Sequence, residues 1–367
     1  MEKEKISCSQ MFFTIVCYIQ SFSLLTAFTF GIAGRDSWIP ITLGGIVAIL
    51  FLLIQLSVMK KYPGKSLFQI NELAFGKWVG RIFSLLYLFY FFCLCFLNLR
   101  DMKDFVNFSV LPNTPSLVIL VLFMMVCGWA VIKGLKVVVR YGAVFVMITL
   151  IAFILTTIFV WNRIDFHNLL PVLSISPEKL LKSTNLDAVI PFGTIIFQMI
   201  APQLEDKKQM SSCMLKGFLC GSLFLLAVVI RDTIVLGDMV KILIFPSFST
   251  LQLAGFTEIF QGTDVVYATL LITLEFFKIS FLYYITIAGI AELLKLKSYK
   301  LSVLIIGVGI IICSYLVYSS VMEHITSAQT ITPILWLLFE FVLPVLTLLK
   351  ITFSKKAKKA NQATTSS

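Results

Sequence analysis

Two ionisable residues, Glu275 and Lys278, stand in the middle of a long apolar stretch. Three positions apart on a helix, they share a face. Charge at bilayer depth is costly, and residues that carry it face the bundle interior and mark ligand or ion paths. The chemistry they suggest is electrostatic. The Lys278 ammonium would serve as a built-in cation, a surrogate for a bound ion, with Glu275 as its partner; the competing reading is an ion pair that only holds helices together. Two other stretches suggest recognition through the backbone. Pro191-Phe192-Gly193 interrupts the apolar run 184–204, and Gln20-Ser21-Phe22-Ser23 interrupts the run 8–34. Proline removes a donor and clashes with the preceding turn, glycine frees the backbone, and serine hydroxyls bond back to helix carbonyls. Each interruption predicts two half-helices joined by a short unwound piece. Lipid cannot satisfy the freed groups, so the piece must be buried or line a polar cavity. Half-helix N-termini there present free amides and partial positive charge to an anionic group. The competing reading of Pro191 is a simple kink. Tyr90, Leu94 and Asn98 recur at helical spacing and either line the same pocket or pack between helices.

Other polar residues carry less. Glu340 is a buried acid with no partner legible in sequence. His167 and His324 read as solvated residues of outer connections, and Arg100, Asp101, Lys103 and Asp104 as an interface cluster open to a subunit contact. No phosphate loop, helical metal-ligand pair or triad-like set appears, so neither an enzyme nor a cofactor is expected. The eight cysteines, at 8, 17, 93, 95, 127, 213, 220 and 313, lie in or beside apolar stretches and read as small packing residues without a disulfide framework.

The elements that must position these residues are membrane helices. Of 367 residues, 59% are hydrophobic and 13% charged, and the mean hydropathy is +0.96; a soluble domain has no use for so much apolar surface. Ten spans fit the pattern, at about 8–34, 37–59, 79–108, 115–132, 138–161, 184–204, 211–236, 264–293, 300–318 and 332–351. The net charge of +11 comes from short loops between spans, which is membrane topology and not a nucleic-acid face. Of the 30 Lys and Arg residues, 21 fall at one set of ends and 8 at the other, Lys278 being internal. That bias predicts both termini in the cytoplasm. Ser66 and Gln69 have capping-box spacing ahead of Leu67, Ile70 and Leu73, predicting a short helix on the cytoplasmic surface. The long outer connection 237–262 is expected to hold a short helix of its own, and residues 352–367 a basic, disordered tail. The rest, 1–351, reads as one permease-like domain. Ten helices divide into two repeats of five, about 8–161 and 184–351, and an odd-numbered repeat enters the membrane the opposite way in its second copy. Interruptions in the first helix of each repeat are the mark of a transporter-type site.

Tyr62-Pro-Gly-Lys-Ser-Leu-Phe68, Phe75-Gly-Lys-Trp-Val-Gly80, Leu111-Pro-Asn-Thr-Pro115, Asp165-Phe-His-Asn-Leu-Leu-Pro-Val-Leu173, Pro191-Phe-Gly193 and Phe277-Lys-Ile-Ser280 occur in this order. With them the chain resembles, over about residues 6 to 350, the endospore germination permease family. These are the B subunits of spore germinant receptors, within the amino acid–polyamine–organocation superfamily. The resemblance implies an all-α, LeuT-like fold of two inverted five-helix repeats with helices 1 and 6 broken, in the spore inner membrane, assembled with receptor A and C subunits. Together with the interruptions, the leading reading is a receptor for a small nutrient, an amino acid or similar, with Gln20, Ser21, Phe22, Ser23, Tyr90, Leu94, Pro191, Phe192 and Gly193 as the expected binding residues. The family often has a glycine-rich break in its first helix where this chain has Gln20-Ser-Phe-Ser23. The alternative function is secondary transport of amino acids or related solutes.

Overall fold

Ser7 opens the first helix. Its hydroxyl accepts from the Gln10 amide at 3.2 Å and the Gln10 side chain accepts from the Ser7 amide at 2.9 Å, a reciprocal cap. The helix α1 (Cys8–Gln20) ends where the Ser21 hydroxyl donates to the Tyr18 carbonyl at 2.7 Å. A 3-10 turn, Ser21–Leu24, follows, Leu25 and Thr26 lie outside any helix, and α2 (Ala27–Ala33) resumes. The computed structural model describes residues 5–252, 263–296 and 298–353, so the tail read at 352–367 lies, but for its first two residues, outside the described residues.

After α2 come α3 (Trp38–Lys61), α4 (Leu67–Phe75), α5 (Lys77–Ser109), α6 (Ser116–Lys133), α7 (Leu135–Arg140) and α8 (Gly142–Phe159). The expected surface helix is α4: Ser66 accepts from the Gln69 amide at 3.2 Å, and Gly76, at φ +80°, closes it. It lies hard against α5, since a Cβ on Gly80 would stand 2.6 Å from the Asn71 carbonyl. Then come α9 (Pro177–Val189), α10 (Met210–Leu236), α11 (Pro246–Gln252), α12 (Thr263–Leu294), α13 (Lys300–Leu316), α14 (Val321–Thr330) and α15 (Thr332–Leu337). The helix expected in the outer connection is α11. A π-turn, Leu338–Val342, continues α15 within an apolar stretch that runs Thr332–Phe353.

Seven helical stretches are long and apolar enough to cross a membrane, or eight if α13 and α14, bent by 99°, count as one. The chain is thus a multi-pass, all-helical membrane protein; among the described residues only one isolated bridge, Ile6 with Leu204, pairs extended backbone. Exposed Leu85 and Phe89 of α5, Met125 and Trp129 of α6, and Ile151 and Ile158 of α8 form the apolar exterior. Of the seven, Tyr267–Leu294 in α12 is the most enclosed, with 78% of its 18-residue apolar window buried, which puts it at the centre of the bundle.

The region read as span six differs from the expectation at its start. α9 begins at Pro177, not near 184, with Ser176 as its cap; Lys179 and Lys182 give that first half a polar appearance that hydropathy reads as loop. From Ile190 to Thr194 there is no helix, and the continuation is 3-10 turns, Ile195–Met199 and Ala201–Gln203, with no second α-helix before Met210. The cysteine reading also needs correction. Cys8 and Cys213 form a disulfide that fastens α1 to α10, with 5.6 Å between their Cα atoms. Their separation of 205 residues hides the pair from sequence.

Candidate functional site

The two non-helical stretches, at Leu25 and at Ile190, meet over α5 and α12. Between them lies a cavity of about 30 Å³, bordered by Tyr18, Leu25, Leu94, Asn98, Ile190 and Lys278. That is room for one or two waters, so the site is drawn closed. Asn98 donates to the Leu94 carbonyl at 2.7 Å, and its side-chain oxygen is buried without a partner. Lys278 is 2% exposed and holds its ammonium 5.2 Å from the centroid of the Tyr18 ring, an arrangement that stabilises a desolvated cation. The ion pair suggested by the spacing is not formed: no salt bridge joins Glu275 to Lys278 among the described residues, and both Glu275 oxygens are buried without a hydrogen-bond partner. Beside the cavity, Tyr18 of α1 packs edge-on to Phe197 of the 3-10 segment at 5.6 Å, and Phe197 stacks on Phe281 of α12 at 5.5 Å.

The roof of the cavity corrects two sequence readings. His324, expected in a solvated loop, is 5% exposed, and its Nδ1 lies 3.2 Å from Asp101. The residues read as an interface cluster are internal. Arg100 pairs with Asp104 at 2.8 Å and donates to the Tyr318 carbonyl at 2.8 Å, and Lys103 also pairs with Asp104. The cause is the bend between α13 and α14, which folds α14 back over the end of α5. Tyr318 stacks on His324 at 4.7 Å and Phe28 of α2 meets it edge-on at 5.8 Å. At the opposite, Lys- and Arg-rich end the molecule is open, with a cavity of about 640 Å³ bordered by Lys5, Lys65, Lys207 and Glu292 among others.

Glu340, which sequence left without a partner, is the most heavily bonded polar group near the second break. Its Oε2 accepts from the backbone amides of Thr194 at 3.0 Å and Ile195 at 3.2 Å and from Gln55 at 3.1 Å, and its Oε1 accepts from the Tyr90 hydroxyl at 2.9 Å. Gln55 in turn accepts from the Thr194 hydroxyl at 2.9 Å. Amides that the sequence reading left free are therefore bound to a side chain of the same protein. Glu340 reaches them from the π-turn, a local widening of the helix that often accompanies function.

The predicted residues are thus distributed over two neighbouring sites. Leu94 and Lys278 border the cavity; Tyr90 serves Glu340; Phe192 packs against Phe218 at 5.4 Å. Pro191 is buried, and Gly193 approaches Glu340 so closely that a Cβ would lie 3.0 Å from Oε1. Ser21 caps α1, Phe22 packs on Phe28 at 6.3 Å, and Gln20 and Ser23 hold buried oxygens without partners. Sequence reasoning missed Gln55, Thr194 and the Thr29–Asp187 bond of 2.5 Å that ties α2 to α9. His167 is where it was expected, on an exposed connection. Its backbone and ring nitrogens meet the Asp165 carboxylate and hold that carboxyl below its ordinary value.

The family model described as spore germination protein matches residues 5–321. The chain belongs to this family. Its relatives include spore germination protein KB of Bacillus subtilis, 29% identical over 99% of this chain and 98% of the relative. Spore germination protein A2 of the same organism is 27% identical over 75% of this chain and 76% of the relative. The fold is that of transporters. MhsT, solved in complex with L-phenylalanine, aligns over 93% of this chain and 97% of its own with a TM-score of 0.64 at 14% identity. Mhp1, a nucleobase-cation-symport-1 family transporter solved with bromovinylhydantoin bound, aligns over 93% and 79% with a TM-score of 0.63 at 12% identity. The chain is a permease-like membrane protein of the spore germination family.

Proposed function

We propose that this chain is the nutrient-sensing B-type subunit of a germinant receptor and that its nutrient binds between the two helix breaks. In this reading ten spans form two inverted repeats, about 8–161 and 184–351, with the first helix of each broken, and both termini lie in the cytoplasm of a spore inner-membrane protein. One observation carries it: Leu25 and Ile190, each outside any helix, face one cavity together with Lys278 of the central helix. The cavity is closed beneath the Asp101–His324 contact. A nutrient would enlarge it, favour one packing of the bundle over another, and so signal to A and C subunits. The nutrient is an amino acid or a solute of similar size. MhsT and Mhp1, each solved with a small molecule bound, support the second reading, a secondary transporter.

Two measurements test this. Purified protein should bind one member of an amino acid, sugar and nucleoside panel, raising its melting temperature, while proteoliposomes show no uptake of the same labelled compound; uptake would establish the transporter, and absence of binding across the panel for the assembled receptor would reject both. For topology, a reporter fused after Lys359 should be active in the cytoplasm and one inserted near His167 active outside. The 21-to-8 charge bias motivates this, and an external C-terminus would overturn it.

A further inference from the structure

The break at residues 190–194 frees two amides, and the protein itself fills the position they create. The Glu340 carboxylate receives Thr194 and Ile195 on one oxygen and Tyr90 on the other, and Gln55 completes the ring. Glu340 is 1% exposed, Gln55 is fully buried and Tyr90 is 1% exposed. Four donors converging on a buried carboxylate make an anion site built to completion. Among the described residues these four are the donors to it. Gly193 adds the close approach: any side chain there would stand against Oε1.

We propose that Glu340 is a tethered carboxylate occupying the anion position of the second break, and that it sets ligand selectivity by excluding a ligand carboxylate from Thr194 and Ile195. Where the nutrient reading above holds, a solute in the neighbouring cavity meets Lys278 and Asn98 and contributes no anionic group to the break. An anionic group on the ligand would have to face Lys278. Gln55 and Tyr90 act as positioning residues, aiming the carboxylate from α3 and α5.

The test uses the full-length purified protein and inorganic probes, with no nutrient and no spores, so its outcome is independent of the receptor reading. Glu340→Ala vacates the position while leaving its donors. Sodium formate, at about ten times its dissociation constant, should raise the melting temperature of Glu340→Ala by about 2–4 °C over sodium chloride at equal ionic strength. Wild-type protein should show no such difference. An equal formate response in both proteins, or none in folded Glu340→Ala, would overturn the proposal. Should Glu340→Ala not accumulate, Glu340→Gln serves: its amide group sets a donor against the donors of the ring and should lower the melting temperature. Adding Gln55→Glu, which returns a carboxylate from α3, should restore it. A Glu340→Gln protein as stable as wild type, or a double variant no better than the single one, would equally overturn the assignment.

Discussion

Spores carrying Lys278→Met should lose their nutrient response while keeping near-normal amounts of the protein. The substitution preserves chain length and apolar stem and removes only the charge. Lys278 borders the central cavity, lies over the Tyr18 ring, and interacts electrostatically with both Glu275 and Asp101. Without the ammonium, the buried Glu275 carboxyl of α12, which has no hydrogen-bond partner among the described residues, loses its neighbouring positive charge, Asp101 of α5 keeps only Arg100 and His324, and the binding-competent packing of α1 against α12 loses its cation. Removing one member of a desolvated charged set costs several kcal/mol; a loss of about 2 kcal/mol in apparent affinity is about thirtyfold in the nutrient concentration for half-maximal response. Direct titration of germination rate against nutrient, with receptor level measured by immunoblot, reads this. Unchanged sensitivity at unchanged level would make the lysine packing material and remove the built-in cation from the mechanism. A response restored by added sodium would support that role, since a free cation would then replace the tethered one.

Pro191→Ala combined with Gly193→Ala should give a protein that inserts, melts at a lower temperature and fails to respond. Alanines remove both obstacles to continuous helix through 190–194. A continuous helix would draw the Thr194 and Ile195 amides into intrahelical bonds and strand the Glu340 carboxylate. An alanine Cβ at 193 would also press on Glu340 Oε1 at 3.0 Å and on the Val189 carbonyl at 3.1 Å. Depriving a buried carboxylate of two donors costs about 1–3 kcal/mol or more. Melting of the purified protein and germination of spores carrying both changes measure the two consequences. A normal melting temperature with a normal response would reduce the break to a kink.

How far the sequence reaches can be followed residue by residue. Ser66 and Gln69 specify the start of α4 because a cap is a contact three residues long; the Ser66 hydroxyl accepts from the Gln69 amide, the first half of the box that the spacing implies. The apolar stretches are legible because lipid demands them at a set length, and seven are found whole. Composition marks where the backbone is interrupted, at Ser21–Ser23 and at Pro191–Gly193, because proline, glycine and serine act on their own turn. It does not mark what receives the freed groups. Glu340 is 146 residues from Thr194, Gln55 is 139 away, and neither carries a local signature; only the packing of α3, α5 and α15 around the break brings them to it. The same holds for Asp101, read in sequence as part of an interface cluster, and His324, read as solvated, which become a buried roof because α14 turns back by 99°. Cys8 and Cys213 likewise meet only because α1 packs on α10. The sequence by itself determined the solvent, the helices and the places where they yield. The tertiary structure decided which buried charges meet, because a polar group taken out of water must find its partner wherever the fold can supply one.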